Sequence, residues 1–308
     1  ELAREWDLIG ARGFAIAGGA VMAFGIGLFF VLASNRGWID DRARVALGAT
    51  ASGLVFAAGL VLRARFGQYW AALAAVGAGI AGAYATLAAA TARYDLVPDA
   101  RGLPLAGVIA GVATVVAVRW RSQTIAALGL LGAALAPALQ ALDTDLTWES
   151  AAFAVIVLVA TAAVAIPCRW RELLVAISVV VGAQIEWLVA GVTVDTGSVV
   201  VASAFTLVLL GIAVGLQVAT RKDEVDPLAL TYALGSFAVA LLGAVQLFDD
   251  PTDRGIALLA AAGVWALCFA GLQLRRLPDL ALAVGVSALA LAAVGTAFVL
   301  VGGTLTVV

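Results

Sequence analysis

Arg119-Trp120-Arg121-Ser122-Gln123 runs straight into Thr124-Ile125-Ala126-Ala127-Leu128-Gly129, and fifty residues later Arg169-Trp170-Arg171-Glu172 runs into Leu173-Leu174-Val175-Ala176-Ile177. Arginines around a tryptophan suit the end of a membrane helix, where guanidinium groups meet headgroups and indole rings sit in the interface. Outward from each such tip, in both directions, lie apolar runs of roughly 16–22 residues, close to the length that crosses a hydrocarbon core. Each tip therefore reads as the turn of a transmembrane helical hairpin.

Composition agrees with that reading. The 308 residues are 64% hydrophobic and 12% charged, with a mean hydropathy of +1.08, whereas soluble domains average about 45–50% apolar and 25% charged. Eleven spans are predicted, at 13–34, 45–62, 71–92, 103–118, 124–142, 150–167, 173–194, 198–218, 228–248, 255–274 and 280–301. Their continuous apolar runs lack the alternation of a transmembrane β-barrel. The fold class is thus all-α, a polytopic transmembrane bundle of about eleven spans arranged as stacked helical hairpins. The shortest span, 103–118, is expected to be tilted less or to extend into Arg119-Trp120. Residues 1–12 place Leu2, Trp6 and Ile9 on one face, which suits an interfacial helix ahead of a single transmembrane domain, 13–301. Residues 302–308 read as a truncated tail, and both ends read as cuts through a longer protein.

Basic tips begin at 63, 119, 169, 221 and 275, at intervals of 56, 50, 52 and 54 residues with two spans in each. A near-constant period of this kind predicts an array of hairpins side by side. The N-terminal segment and the even-numbered loops hold twelve of the cations and the odd-numbered loops six. The positive-inside rule then places the N-terminus in the cytoplasm and, after eleven spans, the C-terminus of this segment outside. Asp226-Pro227 and Asp250-Pro251 each offer a carboxylate N-cap followed by proline at the first helical position.

Chemistry inside the spans is sparse. Glu186 is the one acid well inside a predicted span, where an ionised carboxylate costs a few kcal/mol unless it is paired, protonated or wet. It is the candidate for proton, cation or substrate binding, together with Gln184, Gln140, Arg93 and Tyr84, which fall toward the same side of the membrane. A structural hydrogen-bonding role for Glu186 is the competing reading. Arg119, Trp120, Arg121, Arg169, Trp170 and Arg171 are expected to be cytoplasmic, lipid-facing anchors against anionic headgroups. The chain has no histidine, and its two cysteines, Cys168 and Cys268, lie one hundred residues apart. No metal site, cofactor or nucleic-acid partner is expected. The pairs Gly107–Gly111 and Gly211–Gly215 have the small-residue spacing of closely packed membrane helices.

The run Asn35-Arg36-Gly37-Trp38-Ile39, followed by Arg44-Val45-Ala46-Leu47-Gly48, resembles a bacterial membrane family known as domain of unknown function 2339. Ile9-Gly10 with Arg12, Gly25-Ile26-Gly27-Leu28-Phe29-Phe30, Ser122-Gln123, Leu128-Gly129-Leu130-Leu131-Gly132 and Ala136-Pro137 also match. The resemblance covers Ile9 to about Leu139. It implies a polytopic inner-membrane protein, usually longer than this chain, and carries no catalytic residues over.

Three function classes follow. The first is a transporter, or a flippase for a lipid or envelope precursor, because helix pairs with isolated polar positions suit it. The alternative is a non-catalytic structural or assembly partner in the bacterial envelope, with a membrane-protein partner. An enzyme is the least favoured class, since the sequence shows no nucleophile–base pair.

Overall fold

The computed structural model describes residues 40–67, 69–141, 146–191, 195–220, 225–275 and 277–305. Ten helices follow in order: α1 (Asp41–Phe66), α2 (Tyr69–Ala88), α3 (Asp99–Trp120), α4 (Gln123–Gln140), α5 (Trp148–Cys168), α6 (Arg171–Gly191), α7 (Thr196–Ala219), α8 (Pro227–Leu247), α9 (Pro251–Leu274) and α10 (Pro278–Leu305). Each belongs to a segment long and apolar enough to cross a membrane, and among the described residues there is no strand. Ten of the eleven predicted spans therefore have their helix. The first span, 13–34, and the segment 1–12 lie outside the described residues. Of the two expectations for its short apolar run, α3 shows the extension, taking in Arg119 and Trp120, while α10 continues past residue 301.

Side-chain caps set where the helices begin. The carboxylates of Asp226 and Asp250 accept from the backbone N–H groups of Leu228 and Thr252, each with proline next in sequence. Asp40, Ser122, Thr147 and Asp195 cap α1, α4, α5 and α7 in the same way. These contacts satisfy backbone donors that a helix start leaves unpaired.

The helices pair across the basic tips, α1 with α2 and so on to α9 with α10. Ser122, Trp170 and Leu277 each donate their backbone N–H to the carbonyl five residues earlier, those of Ala117, Ala165 and Leu272. At Ser122 and Trp170 that bond closes a Schellman turn, in which the residue after the helix is left-handed and the next one packs back against the last turn. Arg121 (φ 51°) and Arg169 (φ 60°) are the left-handed residues of their tips. Arg121 is therefore equivalent to Arg169, and the two Arg-Trp-Arg tripeptides stand two residues out of register. Trp120 ends α3 half-buried, whereas Trp170 takes the inward-packing place of Ser122 and is 9% exposed. Trp170 is thus a core residue of the tip, correcting the lipid-facing role expected for it.

Successive tips are also joined to one another. Arg63 lies over the Trp120 ring at 5.9 Å, linking the first tip to the second. Gln123 donates to Glu172 at 3.2 Å, linking the second to the third. Arg171 reaches Asp226 at 2.5 and 3.4 Å, linking the third to the fourth. Arg171 is therefore a bridge between hairpins as well as a half-exposed surface cation. Arg119, Arg121 and Arg169 are exposed.

Behind the tips the helices form two rows. The second helices of the hairpins, α2, α4, α6, α8 and α10, pack in succession, and the first helices α3, α5 and α7 do likewise. With no hydrophobic drive between helices in lipid, close backbone approach must hold such rows together. A Cβ on Gly79 would stand 2.8 Å from the Phe56 backbone, and one on Gly255 would stand 2.7 Å from the Gly295 carbonyl. The first-helix row is interrupted after α7, where α9 packs chiefly on α10 and touches α8 more lightly. An apolar cavity opens at that interruption.

Candidate binding cavity

The cavity has a volume of about 390 Å³ and lies among α6, α7, α8 and α9. That volume is within the range of roughly 300–1,000 Å³ typical of small-molecule sites. Its walls are mostly aliphatic, including Val199, Leu207, Val239 and Ala261. Glu186 and Gln246 line its outer end, near the ends of α6 and α8 that lie away from the tips. The Gln246 side-chain amide donates to the Glu186 carboxylate at 2.9 Å, and Glu186 is exposed rather than sealed in the bundle. One hydrogen bond leaves most of the carboxylate's acceptor sites open.

Trp265 forms part of the inner wall. It lies fourteen residues into α9 from Pro251, or about 21 Å along the helix axis. It is 1% exposed, and its indole Nε1 has no hydrogen-bond partner among the described residues. A buried indole N–H ordinarily finds an acceptor. The cavity thus combines an aliphatic body, a carboxylate at its mouth and an unused donor in its wall. Its polar lining is Glu186, Gln246, Ser203, Thr206 and the Trp265 indole, an arrangement that can bind and orient a ligand.

The other residues selected from the sequence sit elsewhere. Gln184 points away from this cavity, buried against α4, where its amide donates to the Ala134 carbonyl at 2.7 Å, in the turn before Pro137. Tyr84 donates its hydroxyl to the Gly129 carbonyl at 2.6 Å, with the Ala106 carbonyl at 3.2 Å, and so ties α2 to α3 and α4. Gln140 lies beside Thr91 against Gly102, where a Cβ would come within 2.6 Å of its amide nitrogen. Arg93 is exposed at the end of the π-turn Ala89–Arg93 that extends α2. The structure brings Glu186 together with Gln246 and Trp265 rather than with these four. A glutamine near the end of an apolar run, at the depth of Glu186, was a usable sequence signal for Gln246. Trp265 offered none, since an aromatic within an apolar span reads as ordinary packing.

Ten stacked apolar helices with a cavity between hairpins define a polytopic, all-α membrane protein. A family model described as "Predicted membrane protein (DUF2339)" matches residues 10–308, and the chain belongs to that family. The match runs well beyond Leu139, across the hairpins that form the cavity. No curated protein and no solved structure matches the chain.

Proposed function

We propose that the protein binds a lipid-like amphiphile in the cavity among α6–α9 and carries it across the membrane, as a transporter or flippase. The observation that carries this reading is the position of Glu186 at the mouth of an aliphatic cavity rather than in a sealed helix interface. An acyl or prenyl chain suits the walls, while the ligand's polar end meets the carboxylate of Glu186 and the amide of Gln246. The indole N–H of Trp265 offers a further bond to an acceptor atom on the ligand. The setting is the bacterial inner membrane, with the basic tips on the cytoplasmic side facing anionic headgroups.

The test is transbilayer movement of a fluorescent phospholipid in proteoliposomes, read by quenching of the outer leaflet. The wild-type chain should accelerate movement, and Glu186→Gln, which keeps the shape and the hydrogen-bonding capacity, should reduce it at least several-fold. Wild-type protein giving no acceleration, or Glu186→Gln giving full acceleration, would remove this reading in favour of a structural role in the envelope.

A further inference from the structure

On the face opposite the Glu186 cavity, a cleft of about 500 Å³ opens where the third and fourth tips meet. Its polar wall is Arg169, Arg171 and Thr220, and its apolar wall includes Ile166, Leu174 and Leu216. Ile166 also lines a second, more open hollow of about 470 Å³, which continues between α5 and α7 past Val159, Val208 and Gly211. The charged cleft and the apolar groove are thus neighbours that share Ile166 as a wall.

The two arginines of the cleft differ in what they already hold. Arg171 spends two of its N–H donors on the buried carboxylate of Asp226, which also accepts from the Thr220 hydroxyl and the Leu228 N–H. An arginine has five donors, so others remain for a ligand. Arg169 is exposed and makes no ion pair among the described residues. Arg169 and Arg171 are the charged groups that line the cleft, while Asp226 is paired with Arg171 and the neighbouring Glu172 accepts from Gln123.

The groove supplies the matching apolar half. A Cβ on Gly211 would meet nothing within 4 Å, so Gly211 leaves room there instead of bringing two helices together. Gly215, one turn nearer the tip, would bring a Cβ to 3.0 Å from Ile166. The Gly211–Gly215 pair thus combines one close contact with one open hollow.

We infer that this cleft and groove together bind one anionic phospholipid, with its phosphodiester against Arg169 and Arg171 and an acyl chain along α5 and α7 past Gly211. The inference deepens the reading that the basic tips face anionic headgroups, and it does not depend on the Glu186 cavity.

The experiment is native mass spectrometry of the full chain in a neutral detergent, with dioleoyl phosphatidylglycerol, dioleoyl phosphatidylcholine and inorganic phosphate as probes. Phosphatidylglycerol should be retained in preference to phosphatidylcholine. Arg169→Gln should weaken phosphatidylglycerol by roughly five-fold and leave phosphatidylcholine unchanged. Gly211→Leu should weaken both lipids, and Ala163→Leu, on the same groove, should do the same if the first variant folds poorly. Preference for phosphatidylglycerol that survives Arg169→Gln, or retention of both lipids left unchanged by Gly211→Leu and Ala163→Leu, would overturn the site while leaving the general tip reading intact. Equal retention of both lipids by the wild type would remove both readings. Inorganic phosphate bound as well as phosphatidylglycerol would overturn the assignment to a lipid.

Discussion

Arg171, in the first turn of α6, holds Asp226, the N-cap of α8, through two nitrogen–oxygen contacts across fifty-five residues of sequence. The aspartate side chain is 1% exposed and the arginine side chain 48%. The same carboxylate caps its own helix and accepts the Thr220 hydroxyl, and the Asp226 N–H donates to Gln217. One buried acid thus fixes a helix start, the end of the preceding helix and the neighbouring hairpin.

A double-mutant cycle of Arg171→Gln and Asp226→Asn, read by thermal unfolding in detergent, should show coupling of about 1 kcal/mol. A buried pair broken on one side can cost about 3–5 kcal/mol, but water screens the half-exposed arginine and lowers the figure. Strict additivity of the two substitutions would show that the hairpins are not held together at this point.

That pairing was outside the reach of the sequence, for a physical reason. Apolar runs mark spans because the bilayer core demands them, and Asp226-Pro227 marks a helix start because its geometry is local. The partner of Asp226 depends on which hairpins stand side by side and in which register. The Arg-Trp-Arg match even misleads about register, because the turn is set by the left-handed residues Arg121 and Arg169. The Glu186 cavity was hidden for a similar reason. Glu186 stands out as an acid within an apolar run, but the space beside it exists because α9 stands off from α7. Gln184, two residues away, faces the opposite interface, as the helical period requires.

Gly243→Leu should separate binding from folding in that cavity. Gly243 lines the cavity, and the only atom near an added Cβ is Leu247 Cδ1, at 3.9 Å. Replacing glycine within a helix favours the folded state by up to about 1 kcal/mol. The leucine should therefore raise the unfolding temperature of the empty protein while reducing lipid movement in proteoliposomes. Full lipid movement together with raised stability would place the path elsewhere.

Glycines of similar sequence context should respond in opposite ways to alanine. Gly255→Ala pushes a Cβ against the Gly295 carbonyl and the Val299 nitrogen, at 2.7 and 2.9 Å, where backbone leaves little to yield. Overpacking of that kind costs about 1–3 kcal/mol. Gly263→Ala, on the same helix with nothing within 4 Å, should be neutral or stabilising. Equal unfolding temperatures for the two variants would contradict the close α9–α10 contact.

Asp195 provides a test by pH on the side of the membrane away from the tips. The Ser198 hydroxyl, with the Ser198 N–H at 2.7 Å, holds its carboxyl below the ordinary carboxylate range. A carboxyl whose pKa is lower in the folded state stabilises the fold above its unfolded pKa, and that contribution fades as pH falls through the folded value. The gap in unfolding temperature between wild type and Asp195→Ala should thus be open at about pH 6 and close progressively below about pH 4. Asp195→Asn separates charge from shape, because asparagine is an N-cap at every pH. Its difference from wild type should shrink in acid, while its advantage over Asp195→Ala should persist. A wild-type advantage over Asp195→Ala that stays constant down to about pH 3 would show that the ionised carboxylate is not what holds the start of α7.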